Sequence, residues 1–347
     1  MAQRERILVT GGAGYIGSHT IIELIERMDC DVVSVDNFAN SDRATFDRIE
    51  RITGRRVFNH DMDLCDQAAV DGLFDSEEGI TGVIHFAAFK SVPESVSDPH
   101  KYYHNNIASL LTVLQACVRH KVGRFIFSSS CSVYGNIDRL PVSEDTPMSP
   151  AESPYGFTKQ IGERILQDYA RTHPEMRLIA LRYFNPVGAH HSGLIGEAPI
   201  NSPSSLVPVI TMTAIGKRSE VVVHGDDYDT RDGTCIRDYV HVSDIAAAHV
   251  AALVHASGEK MTSSLAIFNL GTGDGVSVLE AIAAFESASG VVLNHRIGPR
   301  REGDVEAIYS DTTRAEKELK WKAERGLREM MRSAWVWEQN SSAEQAG

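Results

Sequence analysis

A glycine-rich turn, set between a short β-branched run and a long amphipathic stretch, constrains this chain more than any other feature. Ile7-Leu8-Val9-Thr10 leads directly into Gly11-Gly12-Ala13-Gly14-Tyr15-Ile16-Gly17, and the residues from Tyr15 to Arg27 carry apolar side chains at helical spacing. The glycines at 11, 14 and 17 each have a steric purpose: a tight turn, a close approach of backbone to a pyrophosphate, and close packing of helix on strand. The N-terminus of the helix then faces the anion. Such a turn also serves purely structural ends, so the next strand carries the argument. It ends in Val35-Asp36, about 20 residues after the turn, where a carboxylate can accept hydrogen bonds from a ribose. That carboxylate repels a 2′-phosphate, so the pattern points to NAD rather than NADP. Asp63, just past the third strand, is placed either to bond the adenine amino group or to cap the following helix.

The first half of the chain alternates β-branched runs with longer amphipathic stretches, the pattern of a doubly wound parallel sheet of the Rossmann type. The runs predict strands at Ile7-Thr10, Asp31-Val35, Arg56-Asn59, Gly82-Phe86, Arg124-Ser128 and Leu178-Leu181, six in one sheet. Helices are predicted near Tyr15-Arg27, Ala44-Ile52, Asp66-Phe74, Asn105-His120 and Tyr155-Arg171, supplying right-handed crossovers. Beyond Asn185 the pattern loosens into turn-rich segments such as Glu197-Pro203 and Gly225-Gly233. This predicts an α/β chain with a Rossmann domain over 1–186 and a smaller α/β substrate domain over 187–347, some of which packs back on the first. The last residues, 339–347, are biased enough in composition to predict a flexible tail.

A length of 347 residues exceeds what one hydrophobic core usually supports, which agrees with two lobes. No apolar run approaches the roughly 18 to 20 residues that span a bilayer, and Arg4-Glu5-Arg6 passes straight into the first strand without a signal core. A cytoplasmic protein is expected. The five cysteines form no CxxC pair, so neither a zinc site nor a disulfide framework is expected. A net charge of −13 opposes nucleic-acid binding, which needs a basic face. An anionic small molecule would have to be met by local arginines.

Tyr155 and Lys159 lie one helical turn apart in Ser153-Pro154-Tyr155-Gly156-Phe157-Thr158-Lys159, so their side chains share a face. Taken alone, such a pair is more often a solvated helix face than a site. Its position changes that, because it follows the fifth strand, whose end carries Ser128-Ser129-Ser130-Cys131-Ser132, and ligands of open α/β sheets bind at the carboxyl ends of strands. A phenol ionises near pH 10; a neighbouring ammonium from Lys159 and an oxidised nicotinamide both favour its phenolate. With a Ser130 hydroxyl to share the proton, the trio suits removal of a proton from an alcohol as hydride leaves its carbon.

With these motifs in place the chain resembles the NAD-dependent sugar-nucleotide 4-epimerases of the extended short-chain dehydrogenase/reductase family. The resemblance extends through Asp36-Asn37 with Asn40-Ser41, His85-Phe86-Ala87-Ala88 with Lys90, Val133-Tyr134-Gly135, Leu181-Arg182-Tyr183-Phe184-Asn185-Pro186-Val187-Gly188-Ala189, Arg237-Asp238-Tyr239 and Arg300-Arg301-Glu302-Gly303-Asp304. It implies interconversion of UDP-galactose and UDP-glucose through a 4-keto sugar, with Tyr155, Lys159 and Ser130 catalytic. It places NAD against Gly11, Gly14, Tyr15, Ile16, Gly17, Asp36, Asn37, Asn40, Ser41, Asp63, Leu64, Phe86, Ala87, Ala88, Lys90, Asn105 and Phe184 as well as the catalytic trio. The UDP-sugar is implied to meet Lys90, Ser130, Ser132, Tyr155, Asn185, Ser205, Leu206, Val222, His224, Arg237, Arg301 and Asp304. The guanidinium groups among these suit a diphosphate, although Arg237 and Arg301 also read as partners in a structural salt bridge. A homodimer through the helices at Asn105-His120 and Tyr155-Arg171 is implied too.

Three other readings stay open. A sugar-nucleotide dehydratase or decarboxylase shares the Tyr/Lys pair, but Cys131 and Ser132 stand where dehydratases carry a carboxylic acid and a carboxylate. A 4-epimerase for a different UDP-sugar is a second: Ser205 replaces the Asn frequent in bacterial epimerases, His224 a Phe, and Ile308 falls at a position that varies with the sugar. A catalytically silent NAD-binding sensor is the third, though it has no need of Tyr155 and Lys159 beside Ser130.

Overall fold

Parallel strands cannot be joined by tight turns and need long crossovers, which the first half of the chain supplies as helices. The computed structural model describes residues 4–346 except 201, 202, 204, 259, 260, 302 and 303. Its first half runs β1 (Arg6–Thr10), α1 (Tyr15–Met28), β2 (Asp31–Val35), α2 (Ala44–Thr53), β3 (Phe58–His60), α3 (Gln67–Ser76), β4 (Ile80–His85), α4 (Val92–Ser97), α5 (Pro99–Arg119), β5 (Arg124–Ser130), α6 (Pro154–Thr172) and β6 (Arg177–Tyr183). There follow β7 (Asn185–Val187), α7 (Leu206–Ala214), β8 (Val221–His224), β9 (Ile236–His241), α8 (Val242–Ser257), β10 (Leu265–Leu270), β11 (Gly275–Ser277), α9 (Val278–Ser289), β12 (His295–Gly298), β13 (Ala307–Ile308) and α10 (Leu327–Ala346).

The main sheet has the order β3-β2-β1-β4-β5-β6-β10 and is parallel throughout. The direction of winding reverses between β1 and β4, and the crevice at that reversal is where such sheets bind ligands. Alternate strand residues feed two cores: Ile7 and Val9 pack with α1, α2 and α8, and Leu8 packs with α3, α5 and α6. Ile7, Leu8 and Val9 have no exposed surface, each contributing about 2 to 3 kcal/mol of hydrophobic stabilisation. The sheet has seven strands, not six. The added strand, Leu265–Leu270, pairs with β6 from within the second half, and its short apolar run owes its strand state to that tertiary pairing. α8 likewise packs on α1.

The second lobe gathers β7, β9, β11 and β13 in one small sheet and β8 with β12 in another, around a core of Val207, Ile210, Val223, Phe285 and Met331. The expected tail at 339–347 is instead helical as far as Ala346. Asn340 Nδ2 donates to Gly193 O at 3.0 Å and Glu344 pairs with Arg48 at 3.1 Å, so the polar composition reflects partners on other segments. α5 begins at Pro99, earlier than Asn105, because Asp98 caps it by accepting from Lys101 N. No described helix is long and apolar enough to cross a membrane. Among the described residues no group of three His, Cys, Asp or Glu side chains is arranged to hold a metal.

Candidate active site

The glycine turn forms as its residue types require. Gly11 has φ +71°, and a Cβ there would stand 2.9 Å from Ala87 N; one on Gly17 would stand 2.2 Å from the Gly11 carbonyl oxygen. Gly14 is the N-cap of α1 and brings no side chain to the first N–H groups of the helix, which suits an incoming phosphate. Asp36, nearly buried at the end of β2, accepts from Ala13 N at 3.0 Å, Phe38 N at 2.9 Å and Ser41 Oγ at 2.7 Å. It thereby fixes the glycine turn against the loop after β2. Asn37 accepts from Ala39 N, and Asn40 is exposed in the same loop. A dinucleotide fits this set: a small-residue cradle at a helix N-terminus and a carboxylate beside it.

Further residues converge on the same edge. Phe86, Ala87 and Ala88 follow β4, with Phe86 N and Ala87 N donating to the Thr10 carbonyl and hydroxyl oxygens. Tyr15 donates to Gly188 O at 2.5 Å, and Ile16 packs into the core under the turn. Leu64 is buried, and Asn105 donates to Asn106 Oδ1 at 3.0 Å. Asp63 accepts from Cys65 N, whereas Asp66 caps α3. The capping alternative for Asp63 is therefore not what the structure shows. Lys90 Nζ reaches Glu197 Oε1 at 2.9 Å, over the ring of Tyr15.

β5 and α6 build the candidate catalytic group. Ser153 caps α6 by accepting from Gly156 N at 3.1 Å, with Pro154 in the first turn. This sets Tyr155 at the helix mouth and Lys159 one turn further in. Lys159 is 4 % exposed, and its Nζ donates to Ser128 O at 2.7 Å and lies 5.9 Å from the centre of the Tyr155 ring. Burial pushes the Tyr155 phenol up to about 12, against the opposing pull of a hydrogen bond with Ser130. Burial also pulls Lys159 down to about 7, with Glu163 pulling it back up. Both shifts oppose the charged forms that the sequence argument invokes. Ser132 N donates to Ser130 Oγ at 3.2 Å, and the Ser132 hydroxyl is buried with no protein partner. An orphaned buried hydroxyl beside Tyr155 fits a polyhydroxylated ligand.

The second lobe carries two arginines that share one carboxylate. Arg237 on β9 meets Asp304 at 3.4 Å, and Arg301 meets Asp304 at 2.8 Å and 3.1 Å. The salt bridge read as an alternative is thus present, and it gathers both guanidinium groups at one point. Arg237 also acts on the Cys131 thiol, which burial pushes up to about 12, and Cys131 in turn acts on Tyr155. Asn185 opens β7, Ser205 is the exposed N-cap of α7 ahead of Leu206, and Val222 and the exposed His224 lie on β8. Glu302 and Gly303 lie outside the described residues. Ile308 is buried on β13 with Phe184, Val133 and Val142.

Sequence reasoning missed Asp238, which is fully buried and accepts from the backbone N–H and hydroxyl groups of both Thr272 and Ser310 and from Gly273 N. Its place beside Arg237 on β9 was the available signal. It also missed Glu163, whose signal was an acidic residue on the helix face shared by Tyr155 and Lys159.

A family model described as GDP-mannose 4,6 dehydratase matches residues 8–334. A UDP-glucose 4-epimerase of Erwinia amylovora is 47 % identical over 96 % of this chain and 97 % of its own length, and that of Dictyostelium discoideum 48 % over 96 % of each. Among solved structures, a UDP-glucose 4-epimerase from Bifidobacterium longum in complex with NAD+ and UDP is 46 % identical. It superposes with a TM-score of 0.92 over 97 % of this chain and 99 % of that one. A UDP-glucose-4-epimerase from Stenotrophomonas maltophila, with bound NAD and formylated UDP-arabinopyranose, gives 45 % identity and a TM-score of 0.94 over 98 % and 99 %.

Proposed function

This chain belongs to the UDP-glucose 4-epimerase family, and we propose that it interconverts UDP-galactose and UDP-glucose through a 4-keto sugar with NAD held in the cradle of Gly11 and Asp36. The observation that carries this reading is the meeting of Tyr155, Ser130 and Lys159 at the edge that also bears the glycine turn. When bound, NAD supplies a reversible hydride acceptor at C4 and, oxidised, a positive charge that favours phenolate.

The side chains do the rest. Tyr155 takes the proton of the 4-hydroxyl, Ser130 shares it, and Lys159 steadies the phenolate. Arg237 and Arg301 leave Asp304 in part to grip the diphosphate, and the Ser132 hydroxyl finds its partner on the hexose. With the UDP held and the hexose free to turn about its link to it, the opposite face of the ketone comes to Tyr155, which returns the proton. Dehydration is disfavoured, because a thiol at about 12 and a neutral serine at 131 and 132 supply neither acid nor base.

The chain is proposed to act in the cytoplasm, its five cysteines all free, and as a homodimer through α5 and α6, where Leu111 and Phe157 are exposed. A monomeric mass in light scattering refutes the dimer. The activity is tested by incubating purified protein with UDP-galactose and no added cofactor. UDP-glucose is the expected product, and its absence at any enzyme concentration sinks the reading.

A further inference from the structure

Tyr155, Lys159 and Glu163 stand one turn apart in succession along α6, and β5 meets each of them. The Ser130 hydroxyl pairs with Tyr155, the Ser128 carbonyl accepts from Lys159 Nζ at 2.7 Å, and the Ser129 hydroxyl donates to Glu163 Oε1 at 2.6 Å. Glu163 is 0 % exposed and is held from β6 by Arg182, itself 2 % exposed, through Nε at 2.8 Å and Nη2 at 2.6 Å. An ion pair sealed this deeply forfeits several kcal/mol of hydration per ion, roughly, and apolar residues of like volume hold a fold together as well. Its cost has a counterpart one turn away, in the buried ammonium of Lys159.

We propose that Glu163 is a positioning residue for the epimerase reaction: its carboxylate, clamped by Arg182 and Ser129, keeps Lys159 charged and directed along β5 toward Tyr155. This rests on the epimerase reading given above. The other groups around Lys159 cannot do this. His85 on β4 is pulled down to about 3 by burial, with the Lys159 charge adding to the effect, and bonds Thr10. Tyr183 on β6 is a phenol bonded to the Ser128 hydroxyl and raised by burial. From α5, the neutral Asn106 donates to the Thr158 hydroxyl and pairs with the Phe89 backbone and Asn105, and carries no charge. Arg182 is cationic and committed to Glu163. Of the described charges near Lys159, only Glu163 pulls its ammonium toward the charged form.

Glu163→Gln alone strands the Arg182 charge, so the decisive variant is Glu163→Gln with Arg182→Met, compared with wild type and with Glu163→Asp as the conservative control. Each is purified with its cofactor and labelled with 13C at the lysine ε-carbon, the Lys159 resonance being the one missing in Lys159→Met. The expected result is a Lys159 titration midpoint about one pH unit more acidic in the double variant, recovered in Glu163→Asp. The alkaline limb of kcat on UDP-galactose moves with it, which lowers kcat about tenfold above both midpoints at unchanged KM. A folded double variant with the wild-type midpoint overturns the proposal, as does a displaced midpoint with an unmoved kcat limb. Wild-type protein that titrates normally but converts no UDP-galactose refutes the epimerase reading instead, and the midpoint still decides whether Glu163 sets the charge of Lys159.

Discussion

Replacing Tyr155 with Phe removes one oxygen and, with it, the proton acceptor that the proposed mechanism requires at this site. Lys159 cannot stand in, since its ammonium is tied to Ser128 O and lies 5.9 Å from the ring centre. His85 is neutral but sealed in the core beside Thr10, and Ser130 is a hydroxyl with no base of its own. With no substitute base, the full contribution of general-base catalysis is lost, roughly 100- to 10,000-fold in kcat, or about 3 to 5 kcal/mol of barrier. The ring is kept, so the fold loses only the hydrogen bond to Ser130, about 1 kcal/mol. Arg237, Arg301 and Asp36 are untouched, so KM for UDP-galactose and the retained NAD absorbance stay near wild type. The assay is initial-rate conversion at saturating substrate, with cofactor content read from the spectrum of the same preparation. A loss of less than tenfold, or a loss accounted for by missing NAD, refutes the assignment of Tyr155 as the base.

Asp36→Ala removes three accepted hydrogen bonds, so the protein is expected to purify with little NAD and to lose its discrimination against NADP; undiminished NAD content counts against the cradle. Arg237→Ala should raise KM for the UDP-sugar about tenfold to a hundredfold, the roughly 1.5 to 3 kcal/mol of a charge-assisted bond, while kcat changes less; an unaltered KM would place the diphosphate elsewhere. Burial holds His19, His85 and His241 down to about 3 and His190 and His249 down to about 4. The unfolded chain binds their protons from near pH 6.5 and the folded chain does not. Stability is therefore full above pH 6.5 and falls as the pH drops toward 4, each histidine contributing a slope of up to about 1.4 kcal/mol per unit. Urea midpoints at pH 7.5 and pH 5 check this, and equal midpoints contradict it.

The first half of the fold was legible because its signals are local. β2 falls at Asp31–Val35, as its β-branched run predicts, and α1 starts at the Tyr15 that follows the glycine turn. Strand ends moved where pairing, not propensity, decides them: β3 begins at Phe58 because Val33 faces it across the sheet. β10 was missed and the end of α10 misread for the same reason, their partners lying far away in sequence at β6, Gly193 and Arg48. At the site, residue types and spacing were enough to bring Tyr155, Lys159 and Ser130 together. Their ionisation was not legible, because it depends on burial: the ammonium expected of Lys159 is disfavoured by desolvation and restored in part by Glu163. Asp238 was hidden likewise, since its role lies in five bonds to two distant loops.

The central claim is that one hydride leaves C4 and comes back to C4 while Tyr155 holds the proton. UDP-galactose carrying deuterium at C4 tests it most directly, incubated with the purified protein in ordinary water without added cofactor and followed by NMR of the product. The mechanism requires UDP-glucose with the deuterium still at C4. Deuterium lost to solvent, or recovered at C6 of a 4-keto-6-deoxy sugar, contradicts it.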